Sequence, residues 1–94
     1  MTPEAKVKAQ VKKVLDAGGH WYCMPMGTGY GRSGVPDIIA CVRGHFVALE
    51  CKAVKGRTTA LQDRELERIQ AAEGSAFVID ENNVATLPQL LETF

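Results

Sequence analysis

Two apolar, β-branched runs, Asp37-Ile-Ile-Ala-Cys-Val42 and His45-Phe-Val-Ala-Leu-Glu50, are separated only by Arg43-Gly44. Two loop residues between such runs, with a glycine free to take positive φ, predict a tight antiparallel hairpin. With Arg43 and Gly44 as the loop, Val42 pairs with His45 and Asp37 falls opposite Glu50. Their β-carbons then lie ~4.5–5.5 Å apart on one face. Lys52, two residues past Glu50, shares that face because side chains alternate along a strand. The hairpin therefore gathers Asp37, Glu50 and Lys52 at one end.

Two opposed, partly dehydrated carboxylates repel, and without a counter-charge one of them must take a proton. A divalent cation removes the conflict. Hard carboxylate oxygens suit Mg²⁺ or Mn²⁺, and Mg²⁺ keeps several waters or accepts substrate phosphate in its remaining positions. Lys52 is then placed to steady an attacking water or the charge developing on phosphorus. Read singly, Glu50 and Lys52 are strand-end residues reaching solvent and Asp37 is a strand start after Pro36; in hairpin register the three favour a site.

The remaining chain supplies the layers around this hairpin. Thr2-Pro3 opens a helix whose apolar residues Val7, Val11, Val14 and Leu15 recur at helical spacing until Gly18-Gly19, with Lys6, Lys8, Lys12 and Lys13 on the wet side. Trp21 to Met24 is a short strand candidate. Thr59 with Gln62 has capping-box spacing and starts a helix carrying Leu61, Leu66, Ile69 and Ala72, closed by Gly74. Phe77-Val-Ile79 reads as a strand, Val84-Ala85 as a brief pairing segment, and Thr86 to Phe94 as a short helix. The expected order is α-β-β-β-α-β, an α/β fold with a mixed sheet flanked by helices. At 94 residues the chain suits one domain spanning 1–94, since a chain this short buries only about 60–65% of its unfolded surface and division would starve both cores.

Lys+Arg and Asp+Glu balance at 11 each, so net charge selects no partner. Its distribution does: Arg32, Arg43, Lys52, Lys55 and Arg57 make the middle third basic. Three cysteines without C-x-x-C spacing imply reduced thiols and a cytoplasmic setting, with Cys41 and Cys51 expected in the core. No run approaches the ~20 apolar residues of a membrane span. The loop Gly27-Thr-Gly-Tyr-Gly-Arg-Ser-Gly34 lacks a Walker ending and leads into a strand, which argues against a nucleotide cofactor. Its glycines suit close approach to a nucleic acid strand, with Arg32 on phosphate and Tyr30 available to stack, or else an ordinary loop. Lys55 and Arg57 are further candidate DNA contacts. His20 and His45 have no ligand spacing. Glu4 lies on the apolar side of the first helix, as a metal-site residue or as the i+4 partner of Lys8. Gln62 faces the site or caps its own helix.

Gly34-Val-Pro-Asp37, Glu50-Cys-Lys52 and the helix-borne Gln62 and Glu4 together resemble the PD-(D/E)XK nuclease superfamily, more closely its VRR-NUC branch, whose small members occur alone in phages and bacteria. The resemblance covers nearly the whole chain and implies a restriction-endonuclease-like core. It implies a Mg²⁺- or Mn²⁺-dependent endonuclease in which Asp37, Glu50 and the backbone carbonyl of Cys51 bind metal, with Glu4 through water. In that scheme Lys52 orients or activates the nucleophilic water and Gln62 completes the site. It further implies a Holliday-junction-resolvase-like homodimer acting on branched DNA in repair, in a bacterial or phage-infected cell; two symmetric cuts need two sites related by a two-fold axis. Alternatives are a nuclease acting on linear duplex or flaps, and a catalytically idle nucleic-acid-binding or dimerisation module. Larger VRR-NUC proteins carry an accessory DNA-binding domain that these 94 residues lack.

Overall fold

The computed structural model describes residues 1–26 and 31–94; Tyr30 lies outside the described residues. The expected order is present: α1 (Pro3–Ala17), β1 (Trp21–Cys23), β2 (Ile38–Val42), β3 (His45–Cys51), α2 (Ala60–Ala71) and β4 (Ser75–Ile79), then a 3₁₀ turn (Val84–Thr86) and α3 (Leu87–Leu91). The Val84-Ala85 segment is thus a tight helical turn and not a pairing strand. Its amides are engaged locally, Val84 N–H donating to the Asp80 carbonyl at 3.0 Å and Thr86 N–H to that of Asn83 at 3.1 Å.

The sheet has the order β1-β2-β3-β4, antiparallel except for the parallel pair β3–β4 made by the α2 crossover. Val42 pairs with His45 and Ile38 with Leu49, the expected register. Arg43 at φ 54° and Gly44 at φ 87° both take the left-handed conformation, as a type I′ turn requires to match the strand twist.

One face of the sheet, through Ile38, Ala40, Val42, Val47, Leu49 and Cys51, packs against Val7, Val11 and Leu15 of α1 and against Leu87 and Leu91. Leu90 and Phe94, partly buried, pack on this same core. The opposite face is covered only in part: Leu66 and Ile69 of α2 cover Ala48, Ala76 and Ile39. Because α2 packs on the β4 side, Trp21, Cys23 and Cys41 remain exposed on the β1–β2 side. Cys41 is therefore not a core residue, whereas Cys51 is.

The helix starts are locally encoded. Thr2 Oγ1 accepts from Ala5 N–H at 3.1 Å with Pro3 in the first turn, and Thr59 and Gln62 form a reciprocal capping box. The segment before β2 is clipped to α2: Gly34 has φ 78°, and a β-carbon there would lie 2.5 Å from the Leu61 carbonyl. Only glycine satisfies both the conformation and the approach. Gly34→Ala is expected to lower stability by about 1–3 kcal/mol, measured as a reduced urea midpoint at unchanged m value; an unchanged midpoint would show that this clip carries no strain.

Candidate active site

The β2–β3 hairpin opens at its far end between the first turns of α1 and α2. There Asp37, which ends the loop before β2, turns its Oδ2 to accept the Cys51 N–H at 2.9 Å. A strand residue's carbonyl points to the same side as its own N–H, so the Cys51 carbonyl also faces Asp37. The Cys51 thiol plays no part in this: burial above all pushes it up to about 12, leaving a neutral, inert sulfur.

Glu50 is 1% exposed. Its Oε1 lies 3.5 Å from Gln62 Nε2, at the long limit of a hydrogen bond, while Oε2 is buried and accepts no hydrogen bond. Burial first, then the neighbouring Asp37 carboxylate, raises its carboxyl to about 8, with Lys52 pulling the other way. A carboxylate held so far above its ordinary value lacks a cation. Asp37 is better served, since Lys8 Nζ stands 3.7 Å from its Oδ1. Lys52, its side chain 17% exposed, pairs with Glu4 at 3.5 Å across the gap between β3 and α1.

The sequence-derived set thus converges: Asp37, Glu50, Lys52, Glu4 and Gln62 lie in one cluster. Both readings of Gln62 hold at once, because its Oε1 accepts the Thr59 N–H at 2.9 Å while Nε2 faces Glu50. Glu4 pairs with Lys52 and not with Lys8. Lys8, placed by pattern on the wet side of α1, instead reaches Asp37. The i+4 spacing from Glu4 was the available signal, since it puts both residues on one side of the helix.

The basic candidates are dispersed. Lys55 and Arg57 are exposed in the loop after β3. Arg32 is paired: its Nε and Nη2 both donate to Glu65, a carboxylate only 4% exposed that periodicity did not single out. His45 stacks near Phe94, with centroids 5.5 Å apart.

Whether a divalent cation suits this cluster can be judged from the donors. Among the described residues no group of three or more His, Cys, Asp or Glu side chains stands ready to hold one. Two carboxylates and a backbone carbonyl nonetheless match the habit of Mg²⁺, which binds through one or two carboxylates and fills its sphere with water and phosphate. The orphaned Glu50 Oε2 is the atom such an ion would satisfy.

No protein-family model matches the sequence, nor does any curated protein. A solved structure described as a VRR_NUC domain matches with a TM-score of 0.79 at 26% identity, over 95% of this chain and 97% of that one. The mixed four-stranded sheet with its flanking helices defines a PD-(D/E)XK-like nuclease fold. Within that class the likeness is to a VRR-NUC domain, in keeping with the resemblance carried by the Pro36-Asp37 and Glu50-Cys51-Lys52 motifs. No helix among the described residues is long and apolar enough to cross a membrane.

Glu50 also makes stability depend on pH. Without metal, the folded protein holds on Glu50 a proton that the unfolded chain releases near pH 4.3. Stability contributed by that proton is lost as pH rises toward about 8. In EDTA, the difference in Tm between wild type and Glu50→Gln is expected to shift against the wild type from pH 5 to pH 8, measured by thermal denaturation. A pH-independent difference would mean that Glu50 is already charge-compensated.

Proposed function

We propose that the chain is a metal-dependent endonuclease that hydrolyses phosphodiester bonds in DNA, selective for branched structures and working as a homodimer. The observation that carries the reading is the carboxylate pair at the hairpin end, buried Glu50 with its unpartnered Oε2 beside half-buried Asp37, flanked by two ammonium groups. A structural domain has no reason to keep that arrangement, whereas phosphoryl transfer needs each part of it.

Asp37, Glu50 and the Cys51 carbonyl would hold Mg²⁺ or Mn²⁺, with Glu4 near enough to contribute through water. The ion, when bound, supplies Lewis-acid polarisation of the phosphate and lowers the pKa of a coordinated water. Lys52, largely enclosed and balanced by Glu4, offers a fixed cation to orient the attacking water and to stabilise the charge that develops on the phosphate oxygens. Gln62 holds the Glu50 carboxylate through Nε2 while its Oε1 anchors it to the start of α2. Lys8 stands 3.7 Å from Asp37 Oδ1 and offsets part of the negative charge of the carboxylate pair. The attack is in line with the leaving oxygen, as direct displacement at phosphorus requires.

Branched DNA is favoured over linear duplex or flaps because paired cuts on a symmetric junction match a two-fold dimer, and because a domain this small gains grip from a second copy. Labelled four-way junction, flap, splayed and linear DNA, incubated with Mg²⁺, Mn²⁺ or EDTA, separate the readings. The expected result is metal-dependent, symmetric nicking of the junction, reduced at least a hundredfold by Lys52→Ala with Tm preserved. Equal cutting of linear DNA would favour the duplex alternative. Binding that falls steeply with salt, without any cutting, would identify an idle nucleic-acid-binding module.

A further inference from the structure

Glu65 joins Glu50 as a buried charged residue among those described, yet it belongs to a different cluster. It lies three residues beyond Gln62 on α2, so it occupies the same side of the helix about 4.5 Å farther along the axis. Three guanidiniums converge on it: Arg32 through Nε and, at 3.1 Å, Nη2, then Arg64 Nε at 3.6 Å and Arg68 Nη1 at 3.8 Å. One cation suffices to neutralise a buried carboxylate, so three leave two positive charges in excess. Arg64 and Arg68 stand one turn apart on the same helix, where like charges repel, and Glu65 is what holds them together. The three side chains remain 59%, 44% and 59% exposed, respectively. Arg32 alone neutralises this acid and ties its loop to α2; Arg64 and Arg68, gathered in excess of its charge, present half-exposed donor forks open to an anion.

The position says which anion. Arg32, Arg68 and Glu65 line a groove of about 770 Å³ between α2 and the sheet, whose wall includes Pro36, adjacent to Asp37. The groove's other acid, Glu73, lies at the α2 C-terminal end, away from the hairpin site. Successive phosphates advance about 3.4 Å per nucleotide along a duplex strand. A strand that runs along α2 with its scissile phosphate at Asp37 and Glu50 would carry its neighbouring phosphates past the arginines, since Glu65 lies only about one helical turn beyond Gln62. Planar guanidinium forks bind such oxygens in pairs, which a lysine ammonium does not.

We propose that the Glu65-centred cluster of Arg32, Arg64 and Arg68 is a subsite for the DNA backbone, holding a phosphate neighbouring the one that is cut. This rests on the nuclease reading for its substrate, but its own test does not depend on cleavage. Arg64 and Arg68 grip the phosphate, while Arg32 also ties the loop before β2 to α2 and so couples strand binding to the placement of Asp37.

The test uses a fluorescein-labelled four-way junction and a labelled duplex, bound in EDTA across a salt series, so that no cutting intervenes. For Arg64→Gln with Arg68→Gln, the slope of log affinity against log salt should fall in magnitude by about 1, the share of one phosphate, relative to wild type and equally for unrelated sequences. Glu65→Gln makes the chain more positive and would tighten binding if charge alone mattered; loss of the organising carboxylate predicts weaker binding. Each variant is checked by circular dichroism, and either arginine alone, with affinity lowered and a slope change smaller than that of the pair, serves if the double variant does not fold. Unchanged slope and affinity in folded arginine variants, or tighter binding by Glu65→Gln, overturns the proposal. If instead wild type binds with these dependences but never cuts with Mg²⁺, it is the nuclease reading that fails and the subsite that stands.

Discussion

Everything at the candidate site depends on the register of one hairpin. A two-residue turn at Arg43-Gly44, with both residues at positive φ, fixes Val42 against His45 and hence Asp37 against the Glu50 end of β3. A slip of one residue would turn Glu50 into the α1 core and Leu49 out of it. The alternation Val47, Leu49, Cys51 inward against α1 forbids that slip, because it would forfeit the burial of three side chains completely removed from solvent. The hydrophobic core and the charged cluster are thus consequences of the same pairing.

The electrostatics follow from where the strands end. Glu50 is carried beneath the start of α2, out of water, and Asp37 is pulled in by a backbone N–H from the neighbouring strand. Each ammonium compensates a different partner, Lys8 with Asp37 and Lys52 with Glu4, which leaves Glu50 the member without its own cation. Farther along α2, Glu65 is the reverse case, a buried carboxylate with more cations than it needs. Its carboxyl is held below its ordinary value, chiefly by the Arg32 hydrogen bonds. The start of α2 therefore meets a β3 carboxylate wanting positive charge and, a turn later, the helix carries positive charge wanting an anion. That is the polarity expected of a groove receiving a metal and a phosphate chain side by side.

The fold was legible because its signals are local. The hairpin, the capped starts of α1 and α2 and the Gly18 end of α1 all depend on residues within a few positions of one another and appear as read; at the end of α2 it is Glu73, at φ 72°, and not Gly74 that takes the left-handed turn. The Asp37, Glu50 and Lys52 part of the charged cluster was legible through hairpin register and strand alternation, and Glu4 and Gln62 through helical spacing. What sequence did not reveal depends on distant partners. Glu65 sits beside Leu66 in the chain, and nothing in helical periodicity distinguishes a buried acid from a solvated one when its guanidinium comes from Arg32 on another element. Lys8 looked solvated because an amphipathic pattern ranks a lysine by its type, not by whether a strand end lies within its reach. Cys41 looked buried because an apolar run does not say how far a covering helix extends.

The central claim is that Asp37 and Glu50 form a divalent-cation site, and direct titration of Mn²⁺ tests it without reference to any substrate. Electron paramagnetic resonance of free Mn²⁺ at pH 8, where Glu50 is substantially ionised even without metal, should show saturable uptake by the wild type. Asp37→Asn and Glu50→Gln should each lose that uptake while remaining folded. Mn²⁺ left free by the wild type, or bound equally well by both variants, would contradict the account.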